Sequence, residues 1–598
     1  MSTENSKAGT TYNVKTLRIK PLRQKYCYTQ KQLADLVGIP VALIREYEEG
    51  RAFPPNDVLY KMCEIFSVSY AQLIGAEATG YPSVDRPWKK YYDEAAFSAV
   101  MPSCSIYEMV YANNKDRLKE VAIEYFKTRV TYGQLFTNIQ KTRDAFIRLG
   151  VKRDDVVTLL LPNIPESVYC VYALSRIGAI ANRVDLRLAG QKRANYINSV
   201  HSDVVVCSDV FAHNIAEIQD LVPVKHFIVL TPFDSMAAPV RTVLKLKNKR
   251  PAVKEIRNRL SWADFIRNGK GVVAEDYPAD SDDVICIFHT SGTTAMPKSV
   301  MMTNGNMNAL GFCYQYVPFD IQDGDRFLSN VPPFLVYNTI FTVHMPLVRR
   351  MTVVMLPIAP MSEFADIVMK YKPNHVGGSA AGWREFPKNP ATETADLSFL
   401  KACCSGNDSL ALETKMQVNE ILNKGGCPYG VMEGYGMTEA GSAVASCWPA
   451  MEVKNSIGVP LWINIISIFD PDDCDRELTY NEVGEICVYG PSVMAGYYDD
   501  EKATKDVLRL HSDGRVWLHS KDLGHMDENG ALYFDGRLKR TIVTHVGSKI
   551  APLEYERLLM KHDNVESCCV VGRKDPDHSG GQVPVAFLVL KDKGIDGT

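Results

Sequence analysis

Two different patterns of hydrophobic and polar residues divide this 598-residue chain. Between about residues 17 and 74, short apolar runs alternate with turn residues, which predicts about four or five short helices. One is predicted over Gln30–Val37, with Thr29 as its N-cap, and the next over Val41–Glu49, with Pro40 at a first helical position. We therefore expect a small all-helical domain in this part of the chain.

Beyond about residue 93 the pattern becomes that of an α/β protein. Apolar runs such as Val156–Leu161 and Val204–Val206 are typical of buried strands, and they alternate with helical stretches such as Glu166–Ile177. This alternation predicts largely parallel sheets. The predicted organisation is a disordered tail over 1–12, a helical domain over 13–75, a linker over 76–93, a large domain over 94–536 and a partial domain over 537–598.

Composition limits the class of protein. Hydrophobic residues make up 46% and charged residues 23% of the chain, which is typical of globular proteins. The net charge of −3 gives no whole-chain electrostatic reason to bind nucleic acid or a membrane. The 15 cysteines form no paired CxxC arrangement, which favours reduced thiols over disulfides or structural zinc. No signal peptide and no apolar run near the ~18 residues of a membrane span are visible, so we expect a cytoplasmic protein.

The first chemical motif lies in the segment Val284–Lys298. An apolar, strand-like run leads into a loop rich in hydroxyl side chains, with a glycine and a lysine. Backbone N–H groups, hydroxyls and a cation around a small volume suit a polyphosphate. The spacing of a Walker loop is absent, and a Ser/Thr-rich surface turn is the alternative. The candidate phosphate-binding residues are Thr290, Ser291, Gly292, Thr293, Thr294 and Lys298.

This loop resembles the phosphate-binding loop of the AMP-forming adenylating enzymes, the superfamily of acyl-CoA synthetases, luciferases and peptide synthetases. Further motifs follow in the family's order at Ser405–Leu410, Tyr435–Glu439, His519–Asp522 and Gly536–Arg540. The resemblance covers roughly residues 87–586 and implies a site for ATP and AMP. The implied contacts near the adenine are Asn407 and Asp408. Those around the purine and the α-phosphate are Tyr435, Gly436, Met437 and Thr438, and those on the ribose are Asp522 and Arg537.

The same resemblance implies catalytic roles. Thr438, Glu439 and Lys298 are the implied catalytic residues, and Glu439 is the implied Mg²⁺ ligand, since Mg²⁺ prefers carboxylate, water and phosphate oxygens. Lys539 is the implied hinge about which a small C-terminal domain rotates. The family also uses a lysine that its spacing places beyond Thr598, so no residue of this sequence is assigned to that role.

An acyl pocket is implied by the segment Val331–Asn338, which resembles the family's pocket-lining segment. Phe334 and Tyr337 are the candidate pocket residues, and burial in the core is the alternative for both. Several positions depart from the family's pattern. Ala295, Ser299 and Asn338 stand where the family usually has glycine, Leu335 where it has histidine, and Ser520 and Lys521 where it has threonine and glycine.

The helical region resembles the helix-turn-helix domain of the Cro/repressor class, in TQKQLADLVGIPVALIREYEEG. In that class, polar residues early in the second helix contact base edges in the major groove. Gln30, Lys31 and Arg45 are the best candidate DNA contacts, within residues 13–75. A protein–protein contact, including formation of a homodimer, is the alternative role.

Together these resemblances imply a multidomain fold: a small all-α helix-turn-helix domain, a large α/β adenylate-forming domain and a truncated α+β C-terminal subdomain. The implied function is an acid–CoA ligase that uses ATP and Mg²⁺ to activate a carboxylic acid and transfers the acyl group to coenzyme A. The alternative is a transcription regulator whose adenylate-forming domain senses an acid, acyl-adenylate or acyl-CoA. The altered glycines and Leu335 favour the regulator, whereas Thr438 and Glu439 favour the enzyme, because a sensor needs no Mg²⁺ ligand.

Overall fold

The computed structural model describes residues 17–126, 128–236, 256–290, 298–357, 360–406, 408–449, 451, 455–546, 548–578 and 581–591. They divide into two compact units. The first unit comprises the described parts of Met1–Lys89, Ile465–Tyr489 and Asp506–Thr598, and the second those of Lys90–Asn464 and Gly490–Lys505. Among these residues, no helix is both long and apolar enough to cross a membrane.

The secondary structure of the described residues is numbered in chain order. The α-helices are α1 (Ile19–Lys25), α2 (Gln30–Val37), α3 (Val41–Glu48), α4 (Asn56–Phe66), α5 (Tyr70–Leu73), α6 (Pro82–Asp85), α7 (Ile106–Asn114), α8 (Tyr132–Leu149), α9 (Pro165–Ile177), α10 (Gly190–Asn198), α11 (Ala212–Ile218), α12 (Trp262–Asn268), α13 (Asn304–Cys313), α14 (Met345–Val348), α15 (Phe364–Tyr371), α16 (Ala380–Glu385), α17 (Leu412–Lys424), α18 (Glu501–Val507) and α19 (Pro552–Leu559). The strands are β1 (Val121–Tyr125), β2 (Thr128–Thr131), β3 (Val156–Leu160), β4 (Ile180–Arg183), β5 (Val204–Ser208), β6 (His226–Leu230), β7 (Arg259–Ser261), β8 (Val284–Thr290), β9 (Lys298–Thr303), β10 (Arg326–Ser329), β11 (Thr352–Met355), β12 (His375–Ser379), β13 (Ala402–Gly406), β14 (Val431–Met437), β15 (Ser442–Ser446), β16 (Val459–Pro460), β17 (Ile465–Phe469), β18 (Gly484–Tyr489), β19 (Gly496–Tyr497), β20 (Leu508–Leu510), β21 (Val516–Met526), β22 (Leu532–Arg537), β23 (Ile542–Val543), β24 (Lys549–Ile550), β25 (Val565–Lys574) and β26 (Gln582–Leu590).

The second unit is built on two large sheets. One has the strand order β16-β15-β14-β13-β12-β10-β11-β1-β2 and the other β19-β9-β8-β4-β3-β5-β6-β7. Each has a parallel centre, and the antiparallel pairs β1–β2, β14–β15 and β8–β9 lie toward the edges. Strands β3 and β5 are buried along their whole length, as continuous apolar runs in parallel sheets require. The predicted parallel α/β pattern is therefore confirmed.

The helical part of the first unit contains α1 to α5, as the sequence predicts. Thr29 is the N-cap of α2, and its hydroxyl accepts a hydrogen bond from the Gln32 backbone, while the Gln32 side chain accepts one from the Thr29 backbone. One detail differs from the prediction. Pro40 is the N-cap of α3, with an extended ψ of 140°, and is not its first helical residue.

Residues 76–93, predicted to form a linker, contain two short helical elements. The helix α6 and the 3₁₀ turn Pro87–Tyr91 lie within this interval, and the Trp88 side chain is buried. The turn between β21 and β22 lies against Trp88, since a Cβ at Gly530 would come within 2.8 Å of its backbone nitrogen. Gly530 has a φ of +85°, and its backbone N–H closes the turn by donating to the Asp527 carbonyl at 2.9 Å.

The first unit also contains a five-stranded antiparallel sheet, in the order β17-β18-β21-β20 with β22 paired to β21, and two two-stranded sheets, β23-β24 and β25-β26. A buried carboxylate joins the helical part to the sheet. Glu477, with a side chain 5% exposed, accepts from the Lys25 ammonium at 2.9 Å and from the Ser83 backbone N–H and hydroxyl at 2.9 and 2.8 Å. The hydroxyl of Ser467, in β17, donates to the same carboxylate at 2.6 Å. The end of α1 is therefore held directly against this sheet.

Candidate active site

The predicted phosphate loop is anchored at both ends by the β8–β9 pair of the second unit. Thr290 and Lys298 face each other as the last pair of the ladder, so the strand register brings the two ends of the loop together. Ser291, Gly292, Thr293, Thr294 and Ala295 lie outside the described residues. The structure therefore places two of the candidate phosphate-binding residues, on adjacent strands.

A partly buried histidine lies at the base of this hairpin. His289 lies opposite Ser299 in the ladder, and its Nδ1 is 3.1 Å from the Ser299 hydroxyl. Its Nε2 is 2.6 Å from the Asn182 side-chain oxygen. Burial lowers the pKa of His289 to about 3, so the ring is neutral, with Nε2–H donating to Asn182 and Nδ1 accepting from Ser299. The serine that stands in place of a family glycine is thus a hydrogen-bond partner of the strand that leads into the loop.

The second motif, Tyr435–Glu439, runs from the end of β14 into the 3₁₀ turn Thr438–Ala440. Position 436 requires glycine because the paired strand β15 lies very close to it. A Cβ at this position would overlap the Ser442 carbonyl oxygen of β15. Thr438 and Glu439 are both partly exposed. The motif therefore presents a hydroxyl and a carboxylate side by side at the end of a strand.

Tyr497, in β19, joins two of the candidate catalytic side chains. Its hydroxyl donates to the Glu439 carboxylate at 2.8 Å, and the Lys298 ammonium lies 4.6 Å from the centre of its ring, at cation–π distance. The antiparallel pairing of Tyr497 with Val300 of β9 places the ring there. Sequence reasoning missed Tyr497, because no motif includes it and only a long-range strand pair brings it to the site.

The two candidate acyl-pocket residues lie in the same segment but in different surroundings. Phe334 is 8% exposed, and the Arg187 guanidinium lies 5.1 Å from its ring centre. Tyr337 begins a π-helix over Tyr337–His344 and stacks on Phe341 at 5.1 Å. A Cβ at Gly406 would lie 3.1 Å from the Tyr337 ring, so this ring lies directly against the end of β13.

The carbonyl before Phe334 is held by a buried cation. Arg183 is 3% exposed, and its Nε and Nη2 donate to the Pro333 carbonyl at 3.1 and 2.8 Å, while Nη1 donates to the Ser167 hydroxyl at 2.8 Å. Burial lowers the pKa of Arg183 to about 10, so the guanidinium remains protonated at neutral pH. Arg183 therefore fixes the backbone of the candidate pocket segment, a role that the sequence did not indicate.

The candidate adenine loop is described only in part. Asp408 is exposed in the segment that follows β13, and its carboxylate accepts the Ser409 backbone N–H at 2.9 Å, as in an ordinary turn. Asn407 lies outside the described residues.

The candidate ribose contacts lie side by side in the first unit. Asp522 of β21 and Arg537 of β22 are directly paired, and the Arg537 Nε is 3.4 Å from the Asp522 carboxylate. The Asp522 side chain is 10% exposed and that of Arg537 is 70% exposed, so the guanidinium is the accessible member of the pair. Lys539, the candidate hinge, is exposed in the 3₁₀ turn Leu538–Arg540 that follows β22.

Lys521 shows why the family favours glycine immediately before this aspartate. Its φ is +63°, in the left-handed region that side chains with a Cβ rarely adopt. The backbone is held there because the Lys521 N–H donates to the Glu485 carboxylate at 2.9 Å, and the other oxygen of that carboxylate is 2.8 Å from His519 Nδ1. The conformation is therefore retained although the residue is not glycine.

Known proteins resemble this chain along most of its length. A family model described as AMP-binding enzyme matches residues 111–498, one described as AMP-binding enzyme C-terminal domain matches 554–597, and one described as helix-turn-helix matches 19–73. The chain is 26% identical over 516 residues to the long-chain-fatty-acid–CoA ligase of Bacillus subtilis (strain 168), a match covering 85% of this chain and 89% of that protein. It is 27% identical over 486 residues to 4-coumarate–CoA ligase CCL1 of Humulus lupulus, covering 77% and 79% of the two chains.

Solved structures support the fold. The structure of the anthranilate CoA ligase AuaEII in complex with anthranoyl-AMP superposes with a TM-score of 0.70 at 20% identity, over 83% of this chain and 88% of that chain. ATP-bound MatB from Rhodopseudomonas palustris superposes with a TM-score of 0.69 at 21% identity, over 83% and 90%. These likenesses confirm the predicted adenylate-forming fold class, and the helix-turn-helix match confirms the predicted helical domain type. Because the AMP-binding model covers well over half of the chain, this protein belongs to the AMP-binding enzyme family.

Proposed function

We propose that this protein is an AMP-forming acid–CoA ligase with a DNA-binding regulatory domain. The observation that carries the enzymatic part is the position of Tyr497, which contacts both Glu439 and Lys298 in the second unit. Tyr497 thereby places a candidate phosphate-binding cation near a candidate Mg²⁺ ligand. Chemistry on a polyphosphate requires both kinds of group at one site. The similar ligases of Bacillus subtilis and Humulus lupulus favour coenzyme A as the acyl acceptor.

The proposed reaction has two steps. The carboxylate of the acid attacks the α-phosphate of ATP, pyrophosphate leaves, and an acyl-adenylate forms. The thiol of coenzyme A then attacks the acyl carbon, AMP leaves, and the thiol proton passes to solvent as the thioester forms. Both steps depend on positioning the reactants and neutralising phosphate charge.

The proposed residue roles follow from this chemistry. Lys298 neutralises phosphate oxygens, and the Thr438 hydroxyl donates to the α-phosphate. The carboxylate of Glu439 suits Mg²⁺, which when bound supplies additional positive charge at the phosphates. Asp522 accepts from the ribose hydroxyls, and the accessible Arg537 guanidinium donates to the same sugar. Phe334 and Tyr337 line the proposed acyl pocket, and Lys539 is the proposed hinge.

The test is ATP–pyrophosphate exchange with a panel of short, medium, branched and aromatic acids. We expect exchange with at least one acid, and thioester and AMP formation only when coenzyme A is added. Glu439→Gln should reduce exchange about a hundredfold, because charge stabilisation is lost at the reacting phosphates. The matched control is Glu420→Gln, which removes an exposed carboxylate paired with Lys424 on α17. Absence of exchange with every acid, or AMP formation independent of coenzyme A, would contradict the ligase assignment.

DNA binding is proposed for the helix-turn-helix domain on the exposure of two basic residues. Lys31 on α2 and Arg45 on α3 are both exposed. Gln30 is less available to contact DNA, because its side-chain amide donates to the Glu48 carboxylate at 2.8 Å. The same carboxylate also pairs with Arg23. We therefore propose Lys31 and Arg45 as the principal contacts and Gln30 as a minor one.

This role is tested by fluorescence anisotropy of the full chain with a pool of random duplex DNA at two salt concentrations. Binding should weaken steeply with salt, since each neutralised phosphate releases counterions. At a fixed salt concentration, the double substitution Lys31→Ala, Arg45→Ala should weaken DNA binding relative to the wild type. Lys20 is an exposed lysine on α1, and Lys20→Ala should leave DNA binding unchanged. Binding that is undetectable, or equal in all variants, would favour a protein–protein role.

A further inference from the structure

Three polar side chains converge in the C-terminal part of the first unit. His545 follows β23, while Asp575 and His578 lie in the turn between β25 and β26. The Asp575 Oδ2 atom is 3.3 Å from His545 Nδ1 and 3.0 Å from His578 Nδ1. The two imidazole rings lie face to face, 3.6 Å apart and within 4° of parallel. All three potential ligand atoms lie within 4.8 Å of one another.

The backbone holds the carboxylate in a fixed orientation. The Asp575 side chain is 4% exposed, and its Oδ1 atom accepts the Asp577 backbone N–H at 2.9 Å. That bond leaves Oδ2 directed at the two imidazoles. The turn is also held against the His545 segment, because Gly581 has a φ of +87° and a Cβ there would overlap the His545 backbone nitrogen.

The two imidazoles, unlike the carboxylate, are accessible. The His545 and His578 side chains are 39% and 49% exposed. Each ring can rotate about its terminal torsion to aim a lone pair, since broad rotation is normal for an imidazole. Solvent can fill any remaining coordination positions on this open side.

We propose that His545, Asp575 and His578 form a binding site for a divalent transition-metal ion. Two imidazole nitrogens and one carboxylate oxygen are the ligand set that suits Zn²⁺, Fe²⁺ and Co²⁺. Mg²⁺ and Ca²⁺ are disfavoured, because they prefer oxygen ligands throughout. The hydrogen bond from Asp577 to the second carboxylate oxygen is the kind of outer contact that orients a ligating group.

A metal ion at this site links two separate parts of the C-terminal segment. His545 lies in the connection between β23 and β24, and the other two ligands lie in the β25–β26 turn. The ion therefore acts as a structural crosslink within this segment. This role does not depend on the proposed ligase activity.

A second group of potential ligands, Glu485, Cys487 and His519, must be distinguished in the test. These residues are buried on neighbouring strands, with the Cys487 sulfur 3.5 Å from His519 Nδ1. Burial raises the pKa of the Cys487 thiol, so this cysteine is poorly suited to bind a metal ion as a thiolate. Binding there would produce a thiolate signature that the His545 site cannot give.

The experiment is a titration of the metal-free full-length protein with Zn²⁺ by calorimetry and with Co²⁺ by absorption spectroscopy. We expect a single strong site whose Co²⁺ spectrum lacks a thiolate charge-transfer band. His578→Ala and His545→Ala should each weaken binding about tenfold or more. His562→Ala is the matched control, since His562 is an exposed histidine outside the cluster, and it should bind like the wild type.

Thermal unfolding separates loss of binding from loss of structure. Zn²⁺ should raise the melting temperature of the wild type and of His562→Ala, and should raise it less for His578→Ala, each shift being measured against the same protein without metal. Equal affinity in all variants would overturn the proposal. So would a thiolate band that disappears in Cys487→Ser, because the metal would then occupy the other group.

Discussion

At the scale of single residues, the Tyr497 hydroxyl is the contact through which the candidate site is most directly tested. It donates to Glu439 at 2.8 Å, while its ring lies under Lys298. Tyr497→Phe removes the hydroxyl and keeps the ring. The substitution should therefore disturb the orientation of the Glu439 carboxylate and leave the ring contact with Lys298 in place. A hydrogen bond to a charged group contributes about 1.5–3 kcal/mol, and we expect kcat for adenylation to fall about tenfold with little change in melting temperature.

The control for this substitution is Tyr498→Phe. Tyr498 is the next residue and is partly buried, and it packs, like Val284 and Met301, at the edge of an apolar cluster. The adenylation rate of Tyr498→Phe should therefore remain close to that of the wild type. An equal loss of activity in both variants would show that the effect arises from this segment as a whole rather than from the Tyr497 hydroxyl.

Lys521 offers a stability test at the same scale. Because its φ is +63°, replacing it by glycine relieves backbone strain, and we expect Lys521→Gly to stabilise the protein by about 0.5–1 kcal/mol. Lys521→Ala is the control, since it removes the side chain near Asp506 but keeps the Cβ and therefore the strain. The measurement is urea unfolding, and stabilisation by alanine as large as by glycine would rule out the backbone explanation.

At the scale of elements, the π-helix Tyr337–His344 joins the candidate acyl pocket to the core. Tyr337 begins it, and His344 ends it as a buried residue, with Nδ1 2.8 Å from the Tyr172 hydroxyl and Nε2 3.0 Å from the Asn308 side-chain oxygen. Burial lowers the pKa of His344 to about 3, so the neutral ring donates from Nε2 and accepts at Nδ1.

This arrangement predicts the direction of the pH dependence of stability. Histidine in the unfolded chain has a pKa near 6.5, so between that pH and about 3 the unfolded state binds more protons than the folded state. The free energy of unfolding should therefore be unaffected by this group above pH 6.5 and should fall as the pH drops below it. His289, whose pKa is also lowered to about 3, acts in the same direction.

His344→Gln isolates the contribution of the π-helix. Glutamine does not titrate, so the loss of stability between about pH 7.5 and 5 should be smaller than in the wild type, even if the variant is less stable at neutral pH. Urea unfolding at both pH values measures this difference. An unchanged or steeper loss of stability on acidification would mean that His344 is not a neutral buried group in the folded protein.

Elements and motifs were predictable from the sequence to different degrees. The bounds of α2 were predicted in full, because Thr29 supplies a cap and Gly38 an αL end. Asp522 and Arg537 were predicted as separate motifs, and the β21–β22 register pairs them. Tyr497 and Arg183 were not predictable, because their roles depend on strand pairing and burial that no local pattern contains.

At the scale of the whole molecule, the helix-turn-helix region and the sheet that carries Asp522 belong to one compact unit. Glu477 is the main polar connection, but other contacts support it. Asp85 pairs with Arg18 at 2.6 Å and accepts from the Tyr480 hydroxyl at 2.9 Å, and Arg515 donates to the Gln24 side chain at 2.8 Å. The sequence predicted both parts but not their contact, since residues 76–93 were expected to be a linker.

Glu477→Gln tests whether this connection stabilises the unit. Glutamine keeps the size of the side chain but loses the charge that pairs with Lys25, and its amide N–H group replaces an oxygen that accepts hydrogen bonds. Because Glu477 is 5% exposed, we expect a loss of about 2–3 kcal/mol in the free energy of unfolding and faster proteolysis near residues 76–81. The control is Glu482→Gln. Glu482 is an exposed residue nearby whose carboxylate accepts hydrogen bonds from Thr479, and its substitution should change the free energy of unfolding by less than about 0.5 kcal/mol. Equal stability and equal proteolysis in both variants would mean that the helical part is held to the sheet by its apolar packing, with the buried ion pair contributing little.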